Sequence, residues 1–265
     1  MPNPIRRRRM RGGGAFVPPE IGSLQLRLLA ETGTFQDSAL TTPTVNSTDP
    51  VGGWLDQSGH ANNALQATAG NRTTWETNAF GALPGIRFTS ASSQYLSADG
   101  AAAAFSGTDL PFTHLVVFRL LANGIAECPM SLGNSGNVGP YCLMNIAATN
   151  IPQINRRNDA QTGNLTVNGT AQVNINPHLL VLWFDGTNGR VLWDGQQLGT
   201  TTAINVGLTT LNRYTLGCWR RNEAGVGINL LNGYMGELAA YNAALTDSSI
   251  AQWTRYSTRY GVVPA

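Results

Sequence analysis

Short runs of apolar residues, or of apolar and polar residues in alternation, recur along the chain between glycine, asparagine, aspartate and proline. Runs of this kind predict β-strands, because the side chains of a strand point alternately to its two faces. The predicted strands cover residues 24–29, 85–89, 112–121, 141–146, 179–184, 190–193, 214–219 and 234–241. Many short strands with turn residues between them are typical of a sandwich or barrel, so the sequence predicts an all-β fold.

One segment predicts a tight hairpin. Residues 190–198 carry Asp194 and Gly195 between two apolar runs. An Asp-Gly pair tolerates the positive φ angles that a two-residue hairpin turn requires. Asn188 and Gly189, just upstream, predict a similar turn one strand earlier.

Near the end of the chain the apolar period changes to three and four residues, which predicts one face of a helix. Thr246 is the expected N-cap of this helix, and Gly261 is the expected residue that closes it. The apolar positions are Ile250, Trp253, Tyr256 and Tyr260. We expect a single terminal helix packed on the strands.

The composition fits one globular unit preceded by an arm. The chain has 265 residues, of which 30 are glycine, 13 are proline and only 12% are charged. All-β sandwiches reach this length undivided, so we expect an arm at 1–19 and a sandwich at 20–265. No apolar run approaches the roughly 20 residues of a membrane span, and no membrane contact is expected.

Basic residues are concentrated in the arm. All 17 are arginine, and five of them lie at positions 6–11, which leaves 12 basic and 15 acidic residues in the rest of the chain. A secretory or twin-arginine signal places about 7–15 apolar residues after its basic stretch, whereas Pro18, Pro19 and Glu20 follow here. We therefore expect no export by these routes. The arginines expected to anchor the arm are Arg6, Arg7, Arg8, Arg9 and Arg11.

Three cysteines, Cys128, Cys142 and Cys218, leave at least one thiol unpaired. A secreted scaffold has an even and denser set more often. We expect folding in a reducing compartment and three buried free thiols.

Two parts of the sequence resemble the laminin-G-like branch of the concanavalin A-like lectins and glucanases. The similar segments are 54–66, 84–88, 95–96, 232–247, Tyr256 and 260–262. The resemblance spans about 23–262 and implies a concanavalin A-like jelly-roll β-sandwich with one C-terminal helix and an extended N-terminal arm. Proteins of this fold include enzymes, lectins and inert spacers, so the fold alone does not define the function.

Several residues of these segments predict structural roles. Trp54 is expected to fill the gap between two sheets, and Asp56 to satisfy backbone donors in the turn at Gly59. A calcium-ligand role for Asp56 is the alternative, although no motif specifies a calcium site or any other cofactor. Glu237 is expected to pair with an arginine or to face a groove.

The sequence favours a protein without catalytic residues. Glycoside hydrolases with this fold resemble one another in a Glu-x-Asp-x-x-Glu or similar motif on one strand, whereas the six glutamates here are scattered singly. The three histidines show no metal-binding spacing, and no Gly-x-Ser-x-Gly is present. Two carboxylates that are distant in sequence could still meet in space. The missing motif therefore disfavours an enzyme and does not exclude one.

The residue types fit carbohydrate binding better than they fit catalysis. Sugar sites on β-sandwiches combine an aromatic face with asparagine, aspartate and arginine, usually on loops at the rim. The segment at 219–225 has that composition, and Tyr141 beside Asn134, Asn137 and Gly139 has it more weakly. A core aromatic and solvated arginines are the alternative interpretation. The candidate glycan-binding residues are Trp219, Arg220, Arg221, Asn222 and Tyr141.

We interpret the chain as a non-enzymatic virion structural protein of a bacteriophage, such as a decoration, fibre or tail-associated subunit. Its arm would bind other virion proteins, and its sandwich would face outward towards host surface glycans in a symmetric or homo-oligomeric assembly. This location implies assembly in the host cytoplasm and later release. The alternative is a carbohydrate-binding or glycan-degrading module of a bacterium. Nucleic-acid binding by the arm is a third, less favoured interpretation.

Overall fold

Antiparallel β-strands are the main secondary structure of the described chain, which comprises residues 16–170, 174–221 and 227–265 of a computed structural model. In chain order, the strands are β1 Leu24–Leu29, β2 Thr34–Phe35, β3 Pro50–Val51, β4 Gly53–Trp54, β5 Ala64–Leu65, β6 Thr73–Phe80, β7 Leu83–Phe88, β8 Leu96–Ser97, β9 Gly107–Thr108, β10 Phe112–Leu120, β11 Glu127–Asn134, β12 Asn137–Ile146, β13 Pro152–Arg157, β14 Asn164–Asn168, β15 His178–Phe184, β16 Asn188–Trp193, β17 Gln196–Ala203, β18 Leu208–Thr209, β19 Arg213–Leu216 and β20 Gly233–Tyr241. The α-helix α1 is Asp247–Ser257, and short 3-10 helices cover Ile21–Ser23, Ala69–Asn71, Ser90–Ser92, Asp99–Phe105 and Thr258–Tyr260. The predicted all-β class with one C-terminal helix is confirmed.

Two large sheets form the sandwich. In sheet I the strand order is β17-β16-β15-β10-β20-β7-β6-β3, and β1 also pairs with β20. In sheet II the order is β14-β13-β12-β11-β19-β8-β5-β4-β2. The inner faces of the sheets meet in one apolar core, so the opposite face of each sheet can be covered by other elements or meet solvent.

The sequence of strand β10 reflects the burial of both of its faces. Val116 and Phe118 face the core between the sheets, whereas Leu115 and Val117 belong to a second cluster on the other side of sheet I. That second cluster lies under α1, whose Trp253 is 1% exposed. A strand that is covered on both faces has a nearly continuous apolar sequence, and β10 has such a sequence.

The helix begins and closes as predicted. The Thr246 side chain accepts a hydrogen bond from the Ser249 backbone N–H, and Gly261 has a φ of 85° after the last 3-10 turn. Glycine is favoured there because a side chain at positive φ would clash with the backbone.

Glu237 lies at the junction of β20, β1 and the end of the chain. Its carboxylate is 3.0 Å from Arg27 Nε and accepts a hydrogen bond of 3.1 Å from the Tyr260 hydroxyl. Burial raises the pKa of Glu237, and the nearby Arg27 acts in the opposite direction. The predicted pairing with an arginine is confirmed, and the side chain closes the helix onto sheet I.

The predictions for the turn at Asp56 and for Trp54 are also confirmed. Asp56 Oδ1 accepts hydrogen bonds from the backbone N–H groups of Ser58 and Arg27, at 2.8 Å and 2.9 Å. Trp54 is fully buried in the core between the sheets. All three cysteines are buried and carry free thiols.

Two local predictions are wrong. The strand predicted at 214–219 ends at Leu216, because Gly217 has a φ of 86° and turns the chain out of the sheet. Asn188 and Gly189 form the start of β16 instead of a turn. The turn before them uses Gly186, whose φ is 99°.

Glu127 gives the fold a pH dependence that can be measured. Its side chain is fully buried, and Oε2 accepts a hydrogen bond of 3.0 Å from the Asn232 backbone N–H. Burial raises the pKa of Glu127 to about 7. Because the folded state favours the protonated carboxyl, its contribution to stability is complete below the unfolded pKa near 4.5 and is lost as the pH rises through 7.

In the wild type, we expect Glu127 to lower the free energy of unfolding by up to about 3 kcal/mol as the pH rises from 4.5 to 8. The Glu127→Gln variant should lack this decrease. Urea unfolding at several pH values, compared with the wild type, measures this difference. Glu76→Gln is the matched control, because Glu76 bonds to Ser47 at an exposed edge. If the Glu127→Gln and wild-type pH profiles are parallel, this account of Glu127 is wrong.

Candidate functional site

The outer face of sheet II is the surface on which the predicted site residues meet. Met130, Leu132 and Met144 of β11 and β12 point into the core between the sheets. Because side chains alternate along a strand, their sequence neighbours point to the opposite side. The outward residues on β11 to β14 and β19 are Ser131, Gly133, Tyr141, Leu143, Asn145, Gln153, Asn155, Arg157, Thr166, Asn168, Arg213 and Thr215.

A short segment that follows β19 crosses this face. Residues 218–221, which we call the ridge, leave sheet II after Gly217 and lie over β11. The Ser131 hydroxyl donates a hydrogen bond of 2.8 Å to the Cys218 carbonyl and accepts one of 3.2 Å from the Arg220 N–H. Trp219 is held from the other side by two backbone hydrogen bonds with Ile228, of 2.8 Å and 2.9 Å.

Gly133 permits this close crossing. A Cβ atom at this position would lie 2.6 Å from the Arg220 carbonyl oxygen and 3.2 Å from the Arg221 Cα. Both neighbours are backbone atoms, so neither can rotate away as a side chain could. The absence of a side chain at Gly133 therefore fixes the height of the ridge above the sheet.

One side of the ridge carries stacked aromatic and guanidinium groups. The rings of Tyr141 and Trp219 meet edge to face, with 5.2 Å between their centroids. The Arg157 guanidinium lies 4.7 Å from the Tyr141 ring centre, and the Arg221 guanidinium lies 4.8 Å from that of Trp219. Arg157 also donates a hydrogen bond of 2.6 Å from Nε to the Gly139 carbonyl, which holds its side chain in place. Cations bound to aromatic faces in this way stabilise the stack.

A row of side-chain amides continues the same face across β12, β13 and β14. Asn145 Nδ2 donates to Gln153 Oε1 at 3.1 Å, and Gln153 Nε2 donates to Asn168 Oδ1 at 2.6 Å. At the start of the row, Asn229 Nδ2 donates a hydrogen bond of 3.3 Å to Asn145 Oδ1. Because each amide has further donor or acceptor capacity, the row presents ordered polar groups to a ligand.

Arg220 lies on the other side of the ridge. It is 8% exposed, its guanidinium lies 4.7 Å from the Tyr95 ring centre, and Nη1 donates to the Ser97 hydroxyl at 3.1 Å. Beyond it is a cavity of about 470 Å³. The cavity is lined by Asn63, Leu65, Gln66, Ala67, Thr68, Tyr95, Ser97, Asp99 and Gly100.

The structure therefore brings most of the predicted glycan-binding residues to one face, but on two sides of the ridge. Tyr141, Trp219 and Arg221 share the first side, and Arg220 points to the second. Asn222 lies outside the described residues, and so do all the arginines predicted to anchor the arm. Asn134 serves a turn instead, since its Oδ1 accepts from the Gly136 N–H at 2.8 Å.

Sequence reasoning missed several residues of the face. Ser131 and Gly133 lie in β11, whose mixed sequence and Pro129 hid the strand, and Arg157 lies in β13, whose outward residues are polar. The alternation of Ile154 with polar neighbours was the signal available for β13.

Among the described residues, no three histidine, cysteine, aspartate or glutamate side chains converge as metal ligands would. The same part of the chain contains no helix with the length and apolar character needed to cross a bilayer. The chemistry of the face thus comes from aromatic rings, guanidinium groups, amides and hydroxyls.

No protein-family model matches the chain, and no curated protein matches it. Solved structures match its fold. Trypanosoma rangeli sialidase has a TM-score of 0.58 and 14% identity, covering 94% of this chain and 35% of that one. A leech intramolecular trans-sialidase complexed with 2,7-anhydro-Neu5Ac has a TM-score of 0.52 and 22% identity, covering 61% of this chain and 26% of that one. The CBM40 of a Ruminococcus gnavus IT-sialidase, bound to α2,3-sialyllactose, has a TM-score of 0.49 and 18% identity, covering 57% of this chain and 85% of that one.

These similarities define the class of fold. At identities below 25%, the two structures with TM-scores above 0.5 show only the fold, an all-β sandwich that resembles parts of sialidases. The chain corresponds to about a third or less of the two larger enzymes. The laminin-G-like branch and a bacteriophage origin stay predictions from the sequence.

Proposed function

We propose that the chain is a carbohydrate-binding protein whose ligand lies on the outer face of sheet II. The observation that carries the proposal is the Tyr141 and Trp219 pair, flanked by Arg157 and Arg221 and continued by the row of amides. Tyr141 is 5% exposed and supports Trp219, which is only partly buried. The Trp219 ring beside fixed polar groups matches a sugar, which has an apolar C–H side and a rim of hydroxyls.

The arginines define how such a ligand would be oriented. Guanidinium groups donate hydrogen bonds in a fixed plane and accept none, so they favour hydroxyl or carboxylate oxygens of a sugar. The amides both donate and accept. Glycans tested should therefore include neutral and carboxylated sugars, with sialyllactose among the latter.

We further propose that this binding is not accompanied by catalysis. The two most buried glutamates have partners that suit structural roles: Glu127 accepts from the Asn232 backbone, and Glu237 pairs with Arg27. Neither belongs to the Tyr141 and Trp219 side of the ridge. Most retaining glycosidases need two carboxyl groups about 5–5.5 Å apart at the sugar, whereas sialidases use a tyrosine as the nucleophile.

The proposal favours a free carbohydrate-binding module over a virion subunit. Similarity of the sandwich to parts of glycan-processing enzymes supports the first. Anchoring to virion proteins through residues 1–14, a virion location and symmetric assembly remain predictions, and residues 1–15 lie outside the described residues. Cosedimentation of full-length and arm-deleted protein with phage particles tests the hypothesis of a virion subunit.

Replacing Trp219 by alanine tests the proposed site. We expect glycan affinity to fall by more than tenfold, because aromatic anchors at a binding face commonly contribute about 2 kcal/mol or more. A glycan array followed by isothermal titration calorimetry with the strongest-binding glycan measures the loss. Circular dichroism confirms that the variant is folded.

Trp183→Ala is the matched control. Trp183 is also partly buried, and the Arg190 guanidinium lies 4.2 Å from its ring centre, but it belongs to sheet I. We expect this variant to keep the affinity of the wild type. Equal losses in both variants, or no loss in Trp219→Ala, would remove Trp219 from the binding site.

A further inference from the structure

We infer that the cavity beyond Arg220 is a second sugar subsite, and that the ligand is an oligosaccharide chain that crosses the ridge. The inference rests on the proposed function, and it adds the class of ligand and a new set of contact residues. Its starting point is that the two sides of the ridge belong to one continuous face of sheet II.

The distance between the two sides excludes a single sugar ring as the ligand of both. The order β12-β11-β19-β8 places Tyr141 and Ser97 three strand positions apart. At about 4.8 Å between neighbouring strands, this is about 14 Å. Several linked sugar residues are needed to contact both Trp219 and the cavity.

The chemistry of the cavity suits the hydroxyl groups of a sugar. Asp99 is exposed at its rim, and Oδ1 accepts a hydrogen bond of 3.1 Å from the Tyr214 N–H. Asp99 Oδ2 forms no hydrogen bond with any described residue, which leaves an acceptor oxygen at the cavity. Burial raises the pKa of the Asp99 carboxyl, whereas the nearby Arg220 and Arg213 act in the opposite direction. Charged acceptors form stronger hydrogen bonds with hydroxyl donors than neutral ones do. Ser97 and Thr68 add hydroxyl groups to the lining.

The ridge couples the two subsites mechanically. Arg220 is fixed by its contacts with Ser97 and Tyr95, while the preceding residue, Trp219, is fixed against Tyr141. A ligand that contacts one side therefore meets the other at a defined separation. Preorganised sites of this kind bind an extended ligand without first ordering the protein.

The experiment uses ladders of one to six sugar residues of cello-oligosaccharides, chito-oligosaccharides and oligosialic acid. Calorimetry on the wild type should show at least a tenfold gain in affinity between the shortest and longest bound members of a ladder. Thr68→Trp should remove this gain by filling the cavity, since Thr68 is exposed and its side chain forms no hydrogen bond with the described residues. Asp99→Asn should reduce the gain and keep the Oδ1 acceptor for Tyr214.

The outcomes separate this inference from the proposed function. Binding that is independent of chain length, or a gain that persists in Thr68→Trp, would overturn the second subsite alone. In that case Trp219→Ala would still weaken binding. Failure of the wild type to bind any of the ladders or any glycan on the array would overturn both. Loss of the length-dependent gain in Thr68→Trp, with short-ligand affinity unchanged, supports the inference.

Discussion

Replacing Trp253 by alanine is expected to destabilise the fold by about 3–5 kcal/mol, which is the usual cost of removing a large buried aromatic side chain. Trp253 is 1% exposed, and its ring contacts Phe16 and Tyr256 with centroids 5.0 Å and 5.8 Å away. Its indole N–H donates to the Tyr241 hydroxyl at 3.0 Å. The alanine variant would lose this hydrogen bond and open a cavity between α1 and sheet I.

Thermal unfolding measures the effect of Trp253→Ala as a fall in Tm on the order of 10 °C. Trp253→Phe is the conservative comparison, because it keeps an aromatic ring and removes the hydrogen bond to Tyr241. We expect it to lie between the wild type and the alanine variant. A Tm of Trp253→Ala within about 2 °C of the wild type would mean that α1 does not seal the outer face of sheet I.

Replacing Gly133 by valine is expected to weaken glycan binding by more than tenfold and to destabilise the fold by about 1–3 kcal/mol. The new side chain would collide with the backbone at Arg220 and Arg221, because even its Cβ would lie 2.6 Å from the Arg220 carbonyl oxygen. Lifting the ridge would move Trp219 away from Tyr141. The effect on binding would thus arise without a direct contact between residue 133 and the sugar.

Gly136→Val is the matched control for Gly133→Val. Gly136 follows Gly133 in the same hairpin, but its added Cβ would meet only Asn134 Oδ1, at 3.6 Å. We expect this variant to bind glycans as the wild type does. Calorimetry on both proteins, with urea unfolding to follow stability, makes the comparison. Unchanged affinity in Gly133→Val would show that the position of the ridge does not determine binding.

The elements that the sequence predicted are those whose burial leaves a pattern within a few residues. The strand predicted at 24–29 coincides with β1, and the α1 cap at Thr246 follows from local hydrogen bonding. Strand β11 was not recognised in the same way, because the alternation of Met130 and Leu132 with Ser131 and Gly133 is short and follows Pro129, a residue type that is rare inside strands.

The candidate site was predictable in its residue types and not in its arrangement. Trp219, Arg220 and Arg221 are adjacent in sequence, yet Trp219 meets Tyr141 on one side of the ridge and Arg220 meets Tyr95 on the other. This division depends on the turn at Gly217 and on contacts between residues far apart in sequence. Such long-range contacts leave no local signature.

The most direct test of the proposed binding face is a two-dimensional ¹H–¹⁵N NMR titration with the strongest-binding glycan from the array. The chain has six tryptophans, so each indole N–H serves as a reporter of one location. The proposal predicts that the indole signal of Trp219 shifts together with backbone amides of β12 and β13, while the indole signals of Trp183 on sheet I and of Trp253 on α1 stay unchanged. Shifts confined to sheet I, or an unchanged Trp219 signal at saturating glycan, would contradict it.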